Sequence, residues 1–175
     1  MELRCFIPFS SAFSRVFAHT FCMVIGVVSD THGLLRPEVI PALAGVEHIL
    51  HAGDVGDPAI LDRLREVAPV TAIRGNIDTH GACSELPATE VVELGGGLVY
   101  MLHSLAELDL NPKAASISVV VFGHSHKPSA EVRDGVLYLN PGSCGPRRFR
   151  LPVTVALLRI EAGVASAEIV PLLSD

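Results

Sequence analysis

The sequence predicts an α/β protein built on two mixed β-sheets, and three observations carry that prediction. Near-continuous Val/Ile/Leu runs alternate with helical segments in the first half, the pattern of buried parallel strands joined by crossover helices. The second half is mostly strand with closely spaced turn signals, which supplies antiparallel segments for a second sheet packed on the first. Five of the apolar runs end in metal-binding residue types, and open α/β sheets place ligands just beyond the carboxyl ends of their strands.

Residues 1–22 lack the apolar core and small-residue cleavage pattern of a secretory signal, being interrupted by Pro8 and Arg15. Met23 directly precedes the first strand. The expected natural start is therefore Met23, with residues 1–22 a poorly ordered or misassigned leader and residues 23–175 one domain. An organelle-targeting leader is the lesser alternative. Residues 24–29 form the first strand. Pro37 marks a helix start before residues 38–44, which Gly45 ends. Residues 47–52 follow as strand. Asp57 and Pro58 supply an N-cap and first-turn proline for a helix through Val67, with Leu61, Leu64 and Val67 on one face, and Pro69 stops it.

The next strand signal is residues 70–75. Residues 90–94 and 98–102 flank Gly95, Gly96 and Gly97, a hairpin whose tip needs positive φ angles. Residues 119–123 form another buried run. Asp134 and Gly135 join residues 130–133 to 136–139, and a last pair, residues 153–160 and 166–170, turns at Gly163. The sequence carries no internal repeat, low-complexity tract or linker.

At 175 residues and 49% hydrophobic content, the chain suffices for one domain with a substantial core. No apolar stretch reaches the roughly 18 residues of a membrane span, so a soluble protein is expected. The net charge of −6 argues against a surface built for nonspecific nucleic-acid binding. Arg147, Arg148 and Arg150 form one local basic cluster, readable as a solvated loop or as a phosphate-facing arginine beside the metal rim. Cys5, Cys22, Cys83 and Cys144 show neither Cys-x-x-Cys spacing nor the density of a disulfide scaffold, which fits the reducing cytoplasm, and none is assigned to metal.

The strand ends gather Asp30 and His32, Asp54, Asn76, His103, and His124 and His126. Asp30 and His32, one residue apart, project to the same side of an extended strand end and can grip one ion, and His124 and His126 repeat that spacing. Seven ligands exceed one four-coordinate ion and suit two ions sharing a carboxylate, for which Asp54 after Gly53 is the natural bridge. Gly53, Gly75 and Gly123 let the backbone come close. Imidazole, carboxylate and amide together suit Mn²⁺, Fe, Ni²⁺ or Zn²⁺ over Mg²⁺ or Ca²⁺ without choosing among them, and Mn²⁺ is the first expectation. Two ions about 3.5 to 4 Å apart lower the pKa of a bridging water to give a hydroxide nucleophile, and so favour phosphate-ester hydrolysis.

Asp30-Thr31-His32, Gly53-Asp54, Gly75-Asn76-Ile77-Asp78, His103 and Gly123-His124-Ser125-His126, with Asn140-Pro141-Gly142-Ser143, resemble the calcineurin-like metallophosphoesterases, most of all their small bacterial and archaeal phosphodiesterase branch. The resemblance implies a four-layer αββα sandwich. It implies one ion on Asp30, His32, Asp54 and His126, and another on Asp54, Asn76, His103 and His124, with Asn76 also reaching substrate phosphate. Asp54, Asn76 and His103 thereby become the expected catalytic residues. Two departures stand out. Ile77 occupies the place where many relatives carry a leaving-group histidine, and His103-Ser104-Leu105 replaces a His-Gly-His segment. Lacking that acid, the protein is expected to favour good leaving groups, with His51, Asp78 and His80 the nearby candidates for a replacement.

The expected activity is thus hydrolysis of a small phosphodiester, without a membrane partner. A second class is a protein-binding scaffold, since the same family includes a retromer subunit of that kind, but the full ligand set favours catalysis. A third reading, a nuclease on polymeric nucleic acid, conflicts with the acidic balance and the lack of an aromatic or basic track.

Overall fold

The computed structural model describes residues 22–173, so the expectations for the leader, with Cys5, lie outside the described residues apart from Cys22. Cys22 itself belongs to the first strand, β1 (Cys22–Val28), and pairs with Glu161. The elements that follow are α1 (Val39–Ala42), β2 (His48–His51), α2 (Ala59–Arg65) and β3 (Val70–Ala72). Next come β4 (Thr89–Leu94), β5 (Gly97–Leu102), β6 (Ile117–Val121), β7 (Ser129–Arg133), β8 (Val136–Asn140), β9 (Thr154–Glu161) and β10 (Val164–Pro171).

Two five-stranded mixed sheets result, ordered β10-β9-β1-β2-β3 and β4-β5-β6-β8-β7. Within the first, β1, β2 and β3 are parallel; within the second, β5, β6 and β8 are parallel. The remaining pairings are antiparallel. Alternation along β1 explains its unbroken apolar run: Ile25 and Val27 enter the core between the sheets, while Val28 faces the helices.

Leu61 and Leu64 of α2 and Val39 of α1 cover the outer face of the first sheet. On the second sheet, Tyr100 and Leu102 point outward beneath Leu105, Leu108 and Leu110, so the fourth layer is a 3₁₀ turn (Leu105–Glu107) and the loop after it. Among the described residues no helix is long and apolar enough to cross a membrane.

Several boundaries differ from expectation for local reasons. The helix expected over 38–44 keeps only the four residues of α1, because the bonds beyond it tighten to i→i+3 (Ala44 N–H to Pro41 O, Val46 N–H to Leu43 O), and Gly45 ends the segment at φ 82° as foreseen. The helix expected through Val67 closes at Arg65, and Asp57 Oδ1 accepts the Ala59 N–H (2.9 Å) at its start. At the first hairpin, only Gly95 and Gly96 have positive φ; Gly97 already belongs to β5.

Candidate metal centre

All seven expected ligands follow the carboxyl ends of parallel strands, on the loops after β1, β2, β3, β5 and β6. Backbone bonds stitch these loops into one rim. The Asp30 N–H donates to Gly53 O (3.0 Å), His32 N–H to Asp54 O (2.9 Å) and Gly123 N–H to His103 O (3.0 Å). Close approach needs glycine: a Cβ on Gly75 would strike the Asp54 carboxylate, and one on Gly123 would strike the Ser29 hydroxyl. Asp30, His32, Asp54, His124 and His126 all have positive φ, between 47° and 65°. Such backbone is uncommon for side chains with a Cβ and clusters at functional sites.

The side chains meet in two overlapping groups, Asp30-His32-His126 and Asp30-Asp54-His103. His126 Nε2 is 3.2 Å from Asp30 Oδ1 and 3.2 Å from His32 Nε2, and the two imidazoles stack at 5.1 Å. Asp54 Oδ2 lies 3.3 Å from His103 Nε2 and 3.7 Å from His32 Nε2. Asn76 and His124 complete the exposed side, with His124 Nδ1 donating to Asn76 Oδ1 at 2.9 Å. The His124 ring meets His103 edge-on at 5.2 Å.

Electrostatics suit a cation. Burial pushes the Asp30 carboxyl up to about 6, with the Asp54 charge adding to the effect. Burial, with the Arg148 and His32 charges, brings His126 down to about 4 and leaves its ring neutral. His32 is lowered by burial as well. Burial opposes the Asp54 charge, yet the His103 ring and the Ile77 N–H on Oδ1 (3.0 Å) outweigh it and hold this carboxyl below its ordinary value. His103 Nδ1 donates to Ala52 O (2.7 Å), which turns Nε2 inward. Asp30 Oδ1 and His103 Nε2 are buried without a hydrogen-bond partner among the described residues; the 3.2 Å approach of His126 to Asp30 lacks hydrogen-bond geometry. Burial opposes the His103 charge, yet the Asp54 carboxylate and Ala52 O outweigh it and raise this ring. Open buried ligand atoms beside two carboxylates and the His32 and His126 rings, whose protonation burial disfavours, fit a divalent metal.

Two of the three candidate acids are occupied elsewhere. His51 is fully buried, bonds Thr31 Oγ1 through Nε2 (2.9 Å) and is brought by burial to about 4. Asp78 accepts three backbone N–H groups, from Val55 (3.0 Å), Gly56 (2.9 Å) and Gly75 (2.8 Å), which clamps the Asp54 loop to the Asn76 loop. Asp78 is thus a brace between the Asp54 and Asn76 loops. His80 is exposed and leads into a 3₁₀ turn (Gly81–Glu85). The sequence reading did not single out Asn140 as a brace: its Nδ2 donates to Gly123 O (2.8 Å) and Ser125 Oγ (3.1 Å), steadying the His124-His126 loop. Its place in the Asn-Pro-Gly-Ser turn was the available signal. Cys144 is a buried small residue, its thiol pushed by burial up to about 12.

Comparison with known proteins agrees with this architecture. The family profile described as Calcineurin-like phosphoesterase superfamily domain matches residues 23–163. A probable metallophosphoesterase of Methanothermobacter thermautotrophicus is 35% identical over 160 residues, covering 85% of this chain and 92% of the relative. The chain belongs to the calcineurin-like phosphoesterase superfamily, a family of metal-dependent phosphoesterases. Among solved structures, a novel archaeal phosphodiesterase superposes with a TM-score of 0.69 at 25% identity, over 85% of this chain and all (100%) of the other. Vacuolar protein sorting 29 of Cryptosporidium parvum shares the fold at a TM-score of 0.70 and 18% identity, over 89% of this chain and 100% of its own.

Proposed function

We propose that the protein is a phosphodiesterase that hydrolyses a small, nucleotide-like phosphodiester at a site for two divalent cations. The observation that carries this reading is the convergence of carboxylates and imidazoles on one rim, with Asp30 Oδ1 and His103 Nε2 buried and unsatisfied. One ion would take Asp30, His32, Asp54 and His126, and the other Asp54, Asn76, His103 and His124. Asp54 Oδ2, within 3.7 Å of His32 Nε2 and 3.3 Å of His103 Nε2, supports its role as the shared ligand. Mn²⁺ is the first candidate, ahead of Fe, Ni²⁺ and Zn²⁺. When bound, the cations supply Lewis acidity that makes a water nucleophilic and neutralises phosphoryl charge.

The chain's own residues do the rest. His103 is held by Ala52 O so that Nε2 faces inward, and Asp78 fixes the spacing of the Asp54 and Asn76 loops. Asn76 Oδ1 accepts from His124 and keeps a second lone pair that would serve a cation, while the amide nitrogen can donate to a phosphoryl oxygen. Ile77, 41% exposed, brings no proton to the leaving group, and His51 and Asp78 are committed to internal bonds. A leaving group that departs unaided is therefore favoured.

The test is turnover of an aryl phosphodiester beside alkyl monoesters, with protein stripped by chelator and refilled with single metals. Restored activity with clear preference for the diester is expected, and Asp54→Ala should lose both metal and turnover. Preference for the monoesters would overturn the substrate class. Metal binding without any turnover would favour the alternative, a protein-interaction platform of the same fold.

A further inference from the structure

The loop after β8 holds a positive charge over the metal rim that the reading above leaves without a task. Its base is tied to the end of β1: Ser143 Oγ donates to Asp30 O (2.9 Å), Cys144 N–H to Ser29 O (3.2 Å), and Arg36 Nε to Gly145 O (2.7 Å). A turn closed by the Leu151 N–H on Arg148 O (3.1 Å) begins at Arg148. Its Nη2 lies 3.4 Å from Nε2 of His32, the same ring atom that faces Asp30, Asp54 and His126. Among the described residues no carboxylate forms an ion pair with Arg148.

This placement is unfavourable once a cation occupies the rim. A cation held by His32 would take the lone pair of Nε2 and leave Arg148 without that acceptor. The guanidinium, though exposed to solvent, would then lie within a few ångströms of a like charge, well inside the distance over which salt screens. An anion lying between the two relieves both problems, since it accepts from the guanidinium and neutralises the cation. The geometry points to Arg148 as a substrate-binding residue that donates to the non-bridging oxygens of the phosphoryl group. This inference rests on the phosphodiesterase reading above. It assigns the site an oxyanion of phosphate geometry and gives it a second source of positive charge where Ile77 supplies none. The neighbouring Phe149, 94% exposed, provides a control on the same loop.

The test uses the full chain loaded with Mn²⁺ and titrated with inorganic phosphate by calorimetry, alongside metal titration of the stripped protein. Arg148→Ala is expected to weaken phosphate binding by about tenfold or more while metal binding stays equal or becomes a few-fold tighter. Arg148→Lys should recover part of the phosphate affinity, and Phe149→Ala should match the unaltered protein. With the aryl diester, the loss should fall mainly on KM. Opposite signs for metal and phosphate are not expected of a merely structural residue. Phosphate affinity of Arg148→Ala within twofold of the unaltered protein, with turnover intact in both, would overturn the role of Arg148 and leave the phosphodiesterase reading standing. An unaltered protein that takes up metal but neither binds phosphate nor turns over diester would overturn both.

Discussion

The two ends of the sandwich use the same backbone conformation for opposite purposes. At the hairpin end, Gly95-Gly96, Asp134-Gly135 and Ala162-Gly163 turn the chain with φ between 49° and 85°, and glycine supplies at least one residue of each pair at little steric cost. At the metal rim, Asp30, His32, Asp54, His124 and His126 adopt φ of 47° to 65° with full side chains in place. Left-handed backbone costs such residues about 1–2 kcal/mol each. The rim accepts that cost because glycine offers no ligand atom. Left-handed turns thus shape the hairpin end cheaply, whereas at the rim strained loops aim donors inward and need bracing from behind.

The comparison breaks most sharply at that brace. Asp78→Asn replaces one acceptor oxygen with an N–H₂ group facing backbone N–H donors, so the stripped protein should lose about 1–3 kcal/mol of stability in urea unfolding. Metal affinity should fall by about 10–100-fold in a titration, since the ligands are oriented through this carboxylate. Unchanged affinity would mean that the rim holds its shape without Asp78.

A smaller effect separates the two ends by pH. Asp30 is raised from 3.8 to about 6, so the fold favours its protonated form. Its contribution is complete below the unfolded value and is lost as pH rises through the folded one. Stripped protein should therefore lose part of its stability between about pH 4 and 7 through this group. Metal needs the carboxylate, so affinity should drop by up to about tenfold per pH unit below 6. Melting curves of stripped and loaded protein should diverge more at neutral pH than at mildly acidic pH.

The smallest effect lies at the other end. A Cβ on Gly135 (φ 85°) meets no atom within 4 Å, so Gly135→Ala isolates the backbone term. It should cost about 1 kcal/mol and leave metal content and turnover unchanged. A change in turnover would show that the two ends are coupled.

Much of this was legible in the chain. The parallel strands were readable from residues such as Ile25, Val27 and Val28, which alternate between two buried faces, and the ligands from their position just after such runs. The Asp134-Gly135 hairpin was readable because the turn chemistry is local. What escaped depends on residues far apart in sequence. Asp78 becomes a brace only when Val55 and Gly56 are folded against it, and Thr31 holds His51 across twenty positions. The left-handed φ of His32 or Asp54 leaves no mark in composition, since Asp and His are frequent in many loops.

The register of β1 with β9, from Cys22 opposite Glu161 to Val27 opposite Ala156, joins two segments separated by most of the polypeptide. A nascent chain that has reached His126 already carries all seven proposed ligands, yet its central strand still has one naked edge open to self-association. Correct assembly in the ribosome's wake therefore waits for Thr154–Glu161 to emerge and zip onto the oldest strand, and premature termination before that point would leave a sticky fragment with an unfinished cradle.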